Sequence, residues 1–208
     1  WGALAERAVE RHDVIYTGIT LSPSQAEIAD ARLAAVDLSG RSRVELCDYR
    51  DAQGPYDAIA SVEMVEAVGQ AYWPAYLDAI ARLLRPGGKA AIQYILINDA
   101  LFERYAASSD FIQAYIFPGG CLISETRFRA LAEARGLAWC DVHRFGEDYV
   151  ETLRQWRERF DAAVAADGLP SGFDDRFVRL WRYYLQYCEG GFRGGGIDVA
   201  QVTLERTA

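Results

Sequence analysis

No apolar run in this sequence approaches the roughly 18–20 residues needed to cross a hydrocarbon core, so no transmembrane helix is expected. Its first residues do not read as a signal peptide. No cluster of Lys and Arg is present, and the formal net charge is −8, which excludes a nucleic-acid binder that must neutralise phosphates. The same charge opposes bulk electrostatic adhesion to a membrane, so any lipid contact has to be apolar or local. Histidine is scarce, with only His12 and His143, and Cys47, Cys121, Cys140 and Cys188 form no C-x-x-C pair. A zinc site is therefore not expected, and the cysteines read as buried free thiols in a reducing cytosol. Internal repeats and low-complexity segments are also absent. What is present is apolar content: 51% of 208 residues, enough for one domain with a substantial core.

Taken in order, the chain alternates helices and strands. Trp1–Arg11 predicts an amphipathic helix with Leu4, Ala8 and Val9 on its apolar side. Asp13–Thr20 predicts a strand, and Ser22 with Pro23 predicts the cap and first residue of a helix running to Val36. Arg43–Cys47 and Tyr56–Val62 read as strands, and Tyr72–Leu84 as a helix stopped by Arg85-Pro86-Gly87-Gly88. Lys89–Ile97 is apolar enough for a central strand. Asp99–Gly120, rich in aromatics, reads as an insertion after that strand. Ser124–Arg135, capped by Ser124, is a helix, and Ala138–Phe145 a strand. Tyr149–Phe160 and Asp174–Phe192 read as helices, Gly190–Gly196 as a glycine-rich turn, and Ile197–Arg206 as an antiparallel edge strand with one wet face. The pattern predicts a doubly wound, mainly parallel α/β sheet.

In such sheets ligands sit beyond the carboxyl ends of the strands. The stretch Tyr56–Gly69 delivers two carboxylates there, Glu63 and Glu66, which would repel if desolvated together. One either caps the following turn or faces solvent, and the other serves a site needing negative charge. Gln93, inside an apolar strand, is either structurally satisfied or lines the pocket. Tyr149 follows a strand and either packs or turns its hydroxyl to the pocket. Gly18–Ser22 is either a plain βα turn or a backbone cradle for a polar ligand edge. Asp48 is either solvated or an acceptor for an adenine amino group. The aromatics of Asp99–Gly120 and of the two late helices are either core or an apolar substrate tunnel.

Together the segments GITLSPSQ (18–25), CDYRD (47–51), SVEMVEAVG (61–69), LLRPGG (83–88), DFIQAYIFPGG (110–120), FGEDYVETLRQWRERF (145–160), RFVRLWRYYLQYCEGGFR (176–193) and IDVAQVTL (197–204) resemble the cyclopropane fatty acid synthase family, which includes the mycolic acid cyclopropane synthases. The resemblance implies a Rossmann-like class I methyltransferase over 1–208, with an antiparallel last strand and lipid-pocket insertions at about 99–120 and 149–192. It implies S-adenosylmethionine and a bicarbonate ion as cofactors. It further implies methylene transfer to a cis double bond of a membrane phospholipid acyl chain through a carbocation, by an enzyme that is cytoplasmic and peripheral at the inner membrane surface. A relative adding a methyl branch, or methylating a small molecule, shares the first steps. A homodimer is left open.

Carried over residue by residue, Glu66 would help hold bicarbonate and stabilise positive charge, Tyr149 and the Ile95 backbone would contact the anion, and Gln93 would stand where some members have histidine. Gln93 can hydrogen-bond the anion but cannot take a proton. Glu63 falls to a cofactor-side or structural role. Trp1 and Gly2 would end the cofactor's glycine-rich loop. Thr20, Leu21, Ser22 and Gln25 would meet the methionine and ribose side, and Asp48 with Tyr49 the adenine. Tyr115, Phe117, Pro118, Gly119, Gly120, Trp156, Phe160 and Tyr184 would line the acyl pocket. The family's first strand and an upstream cysteine would precede Trp1, and on that reading these residues alone hold the cofactor weakly.

Overall fold

The computed structural model describes residues 1–207. It forms two compact units, Trp1–Gly54 and Pro55–Ala208. In the first, α1 (Ala3–Arg11) leads to β1 (Tyr16–Thr20), α2 (Pro23–Ala35) and β2 (Ser42–Leu46). β1 and β2 are parallel, with Tyr16 opposite Ser42 and Thr20 opposite Leu46. α2 starts as the sequence predicts: Pro23 is its first residue and the Ser22 hydroxyl accepts from the Gln25 N–H at 3.3 Å. α1 differs from expectation. Ala5 and Val9, one turn apart, are buried against Leu33 and Leu38, while Leu4 is exposed. Residues four apart share a helix face, and the Ala5–Val9 row is the one turned to the core.

The second unit opens with β3 (Tyr56–Val62), a short α3 (Val65–Val68), α4 (Trp73–Leu83) and β4 (Leu84–Ile97). There follow α5 (Asp99–Ala106), α6 (Phe111–Tyr115), α7 (Glu125–Glu133), β5 (Leu137–Arg144), α8 (Gly146–Ala165), α9 (Asp175–Arg193) and β6 (Ile197–Arg206). The sheet order is β3-β4-β6-β5. β3 and β4 are parallel, and β6 is antiparallel to both of its neighbours.

Four expectations are corrected. β6 is antiparallel but not an edge: it lies between β4 and β5. Its alternation reports faces, with Ala200, Val202 and Leu204 buried on one and, on the other, Gln201 exposed but Val199 buried, and alternation says nothing of how many neighbours the strand has. α4 does stop at Leu83, but Arg85–Gly88 continues as strand rather than turn, with an irregularity in pairing between Tyr56 and Ala58. Gly88 is required there, since a Cβ would lie 3.0 Å from the Asp57 carbonyl oxygen. α9 runs through Gly190 and Gly191. A Cβ on Gly191 would lie 3.0 Å from Ile197 Cδ1, so this glycine lets the helix close on β6. Ser124 is the N-cap residue of α7, yet its hydroxyl donates to Asp99 Oδ1 at 2.6 Å and makes no capping bond.

Side chains on opposite faces of the sheet build two cores. On one, Tyr94, Trp73, Phe102 and Phe128 are buried, with Phe128 5.8 Å from Trp73 and 6.1 Å from Tyr94 between ring centroids. On the other, Leu153, Leu185, Phe192 and Val199 join α8 and α9 to the sheet, with Ile95 beside them. Replacing Phe128 by alanine is expected to destabilise the second unit by about 3–5 kcal/mol, the cost of a large cavity in a ring-packed core. The midpoint and slope of urea unfolding check it: the midpoint should fall at unchanged slope.

Candidate active site

β3 ends at Val62, paired with Gln93, and the Glu63 N–H extends the ladder by donating to the Gln93 carbonyl at 2.9 Å. Glu63 then adopts φ 49°. This left-handed conformation costs a residue bearing a Cβ on the order of 1–2 kcal/mol. It turns the chain sharply into α3, so that Glu63 and Glu66 both stand at the carboxyl end of the parallel pair β3–β4.

Glu66 is fixed by backbone from two sides. Its Oε1 accepts from the Ile95 N–H at 2.5 Å, and its own carbonyl accepts from the Cys121 N–H at 2.9 Å. Its Oε2 is buried without a hydrogen-bond partner. Burial pushes the Glu66 carboxyl up to about 7, the charge of Glu63 adds to this, and the Ile95 bond opposes it.

Glu63 takes the other donors. Its Oε1 accepts from the Tyr149 hydroxyl at 2.6 Å and from Gln93 Nε2 at 2.8 Å. Gln93 Nε2 also lies 3.3 Å from the Tyr149 oxygen, and Gln93 Oε1 accepts from Gln201 Nε2 at 2.9 Å. Gln93 is thus satisfied by partners on both sides. Burial, then the bond to Glu63, raises the Tyr149 hydroxyl above its ordinary value. Sequence reasoning gave Glu66 the company of Tyr149 and Gln93; the structure gives that company to Glu63. The overlooked signal was the cross-strand register, which sets Gln93 opposite Val62 on one side and opposite Gln201 on the other.

Both carboxylates open on a cavity of about 1070 Å³. Of the predicted pocket residues, Phe117, Pro118, Gly120 and Tyr184 line it, together with Ile95. Tyr115, Gly119, Trp156 and Phe160 fall outside its lining. Tyr115 is exposed with its ring 5.5 Å from Phe111, Trp156 is exposed, and Phe160 packs against the α8–α9 core beside Phe177. Tyr105 and Tyr187, from the aromatic stretches read as core or tunnel, also line the cavity; so do Leu101 and Arg104 on α5, Ser108 just after it and Cys188 on α9, which were not singled out by sequence reasoning. Burial pushes Tyr105, Tyr184 and Cys188 each up to about 12, so these wall groups stay neutral at physiological pH.

The cofactor candidates lie in the first unit. Thr20 Oγ1 donates to Gln25 Oε1 at 2.7 Å and accepts from the Ser22 N–H at 3.1 Å, gathering the three at the carboxyl end of β1. The Cys47 N–H donates to the Thr20 carbonyl at 3.1 Å, which brings Asp48 and Tyr49 to the same end of this sheet. Asp48 is hydrogen-bonded to the Arg50 guanidinium at 2.7 and 2.8 Å and to its N–H at 2.9 Å, which hold its carboxyl down at about 2. An ionised acceptor beside hydroxyl and amide groups suits a ligand carrying amino and hydroxyl groups, as S-adenosylmethionine does. Leu21 and Trp1 are exposed, and Gly2, at φ 86°, precedes α1. Among the described residues, no three His, Cys, Asp or Glu side chains are grouped to hold a metal ion, and no helix is long and apolar enough to cross a membrane.

Parallel strand pairs, an inserted antiparallel strand and a site at the strands' carboxyl ends define a Rossmann-like α/β fold, shared with class I S-adenosylmethionine-dependent methyltransferases. The family described as mycolic acid cyclopropane synthetase matches residues 1–202, and the chain belongs to this family of methyltransferases. It is 44% identical over 208 residues to the tuberculostearic acid methyltransferase UfaA1 of Mycobacterium tuberculosis, covering 99% of this chain and 48% of that protein. It is 34% identical to the cyclopropane-fatty-acyl-phospholipid synthase of Escherichia coli, covering 99% of this chain and 51% of that protein. The chain thus spans about half the length of these relatives. The solved structure of mycolic acid cyclopropane synthase CmaA1 complexed with SAH and CTAB matches with a TM-score of 0.86 at 30% identity, over 99% of this chain and 74% of that one.

The raised Glu66 carboxyl has a consequence for stability. The folded group keeps its proton up to about 7, against 4.5 for the ordinary value. Its stabilising contribution is therefore full below pH 4.5 and lost as pH rises through about 7. Glu66→Gln, neutral throughout, should exceed the native protein in stability at pH 8 by roughly 1–3 kcal/mol and match it near pH 4. Thermal or urea unfolding across that pH range measures the difference.

Proposed function

We propose that the whole protein transfers a one-carbon unit from S-adenosylmethionine to a cis double bond in a membrane phospholipid acyl chain and closes it to a cyclopropane. The observation that carries this reading is the cavity: a large, mostly apolar chamber with Glu63 and Glu66 at the sheet end, neutral tyrosine and cysteine in its walls, and Arg104 and Asp110 as its other charged lining residues. Such a space accepts a hydrocarbon chain and favours positive charge beside Glu63 and Glu66.

S-adenosylmethionine, when bound, supplies an electrophilic methyl group. Thr20, Ser22, Gln25, Asp48 and Tyr49 are the residues proposed to hold it. As a new carbon–carbon bond forms at one alkene carbon, positive charge develops at the other. Glu63 and Glu66 stabilise that charge, and the faces of Tyr184 and Phe117 add π density. The apolar walls exclude water, which would otherwise capture the cation as an alcohol. The family resemblance gives the final proton to bicarbonate, but the donors it would use are held by Glu63 and Glu66 in this chain. Exposed Tyr115 and Phe117 offer local apolar contact for a peripheral position on the cytoplasmic side of the membrane.

A second reading, a methyl branch on the acyl chain, is favoured by the 44% identity to a tuberculostearic acid methyltransferase. Ring and branch share the first bond-forming step and part at the fate of the cation. Lipids from cells expressing the protein should gain one CH2 unit by mass spectrometry, and NMR of the isolated chains should show ring protons; branch methyl signals would select the second reading. No gain would remove both. In the purified protein, Glu66→Gln should cut turnover by about 10²–10³-fold, as loss of an oriented electrostatic group does. Cofactor affinity by calorimetry should not change. Undiminished turnover would take Glu66 out of the mechanism.

A further inference from the structure

The structure carries an unexplained coincidence. Resemblance names three donors for a bound anion, the Ile95 N–H, the Tyr149 hydroxyl and the Gln93 amide, and each already ends on a carboxylate of this chain. Ile95 donates to Glu66, while Tyr149 and Gln93 donate to the same Glu63 oxygen. We infer that Glu63 fills the place of bicarbonate in this protein and is itself the base that takes the proton lost from the transferred methyl group. This rests on the function proposed above and assigns the proton acceptor within it.

Four observations carry the inference. A carboxylate and a bicarbonate ion present the same planar, singly charged pair of oxygens, so one can satisfy the donors that suit the other. Gln93 cannot turn away, because Gln201 Nε2 donates to its Oε1 and leaves its NH2 facing Glu63. Glu63 occupies the left-handed region at φ 49°, a conformation that glycine adopts freely and that persists in other residues where the surroundings impose it, often at functional sites. Finally, both bonds fall on Oε1, and Oε2 accepts neither. That oxygen lies on an exposed residue lining the cavity, so it can receive a proton and release it to solvent. A second anion placed beside Glu63 and Glu66 would meet two carboxyl groups rather than free donors.

The bookkeeping of the step is simple. One alkene carbon bonds to the methyl carbon as the carbon–sulfur bond breaks, its electron pair leaving with the thioether. A C–H bond of the new methyl group then breaks. Its electron pair forms the third side of the ring to the cationic carbon, and the proton passes to Glu63, which returns it to water. Tyr149 and Gln93 position the carboxylate, and neither exchanges a proton in the step.

The test uses the purified whole protein, vesicles of oleoyl phospholipid and methyl-labelled S-adenosylmethionine, in buffer purged of carbon dioxide or supplemented with sodium bicarbonate. The native protein should turn over equally in both. Glu63→Gly should lose about 10²–10⁴-fold, the usual contribution of a positioned base, in purged buffer and regain activity when bicarbonate is added. Glu63→Gln, which fills the same space without basicity, should lose as much and regain nothing. A second readout is independent of turnover: bicarbonate, against chloride at equal ionic strength, should raise the melting temperature of Glu63→Gly and leave the native protein unmoved. A native protein that needs bicarbonate for turnover, or is stabilised by it, overturns the inference, as does a fully active Glu63→Gln. A native protein without labelled product in either buffer removes the proposed function instead, and the melting comparison still decides whether Glu63 occupies the anion's place.

Discussion

Three hydrogen-bond donors shared unequally between two carboxyl groups set the character of this site. Glu63 receives the Tyr149 hydroxyl and the Gln93 amide, and Glu66 receives only the Ile95 N–H. The remaining Glu66 oxygen is buried without a partner. Negative charge is costly where donors are missing, and burial of Glu66 with one oxygen unpartnered raises its carboxyl. Two carboxyls that sequence alone leaves interchangeable are told apart by the donors they receive. Their roles follow from donor supply, not from their order along the chain.

The rest of the second unit serves that distribution. α3 is only four residues long and does not fix Glu66 by helical geometry. The residue is instead pinned between the Ile95 N–H of β4 and the Cys121 N–H after the insertion. Gln93 is directed at Glu63 because Gln201 stands directly opposite it on β6. This requires β6 to lie beside β4, inside the sheet. Tyr149 reaches Glu63 from the first turns of α8, its ring held between Phe145 and Phe192 at centroid distances of 5.9 and 5.3 Å. Sheet order, helix docking and site chemistry are one arrangement.

Much of this was legible in the sequence. The β3 boundaries, the Ser22–Pro23 helix start and the α/β alternation follow from short-range pattern and turn chemistry, which act over a few residues. The family was legible from DFIQAYIFPGG and the late aromatic helices. What was not legible depends on pairing across long separations. Alternation in 197–206 reports faces and not neighbours, so β6 read as an edge. Gly190 and Gly191 read as a turn because their role, letting α9 close on Ile197, exists only once β6 is in place. The partners of Tyr149 lie 56 and 86 residues away, at Gln93 and Glu63, and no local spacing encodes that choice. Trp156 and Phe160 read as pocket residues because aromatic content does not tell which side of a helix meets a cavity.

Magnitudes explain why a glutamate persists at a left-handed position. The conformation costs about 1–2 kcal/mol relative to an unstrained backbone. Hydrogen bonds to a charged group contribute about 1.5–3 kcal/mol each, and Glu63 accepts two of them. Solvent exposure of Glu63 reduces that gain, yet the balance still favours the strained conformer while both donors are in place. Removing the carboxylate would relax the backbone but leave the Tyr149 hydroxyl without an acceptor and the Gln93 amide with only the Tyr149 oxygen. The strain and the hydrogen bonds are therefore coupled, and together they hold the carboxylate in position before any ligand arrives. A base held in position beforehand needs no reorientation as charge develops on the substrate.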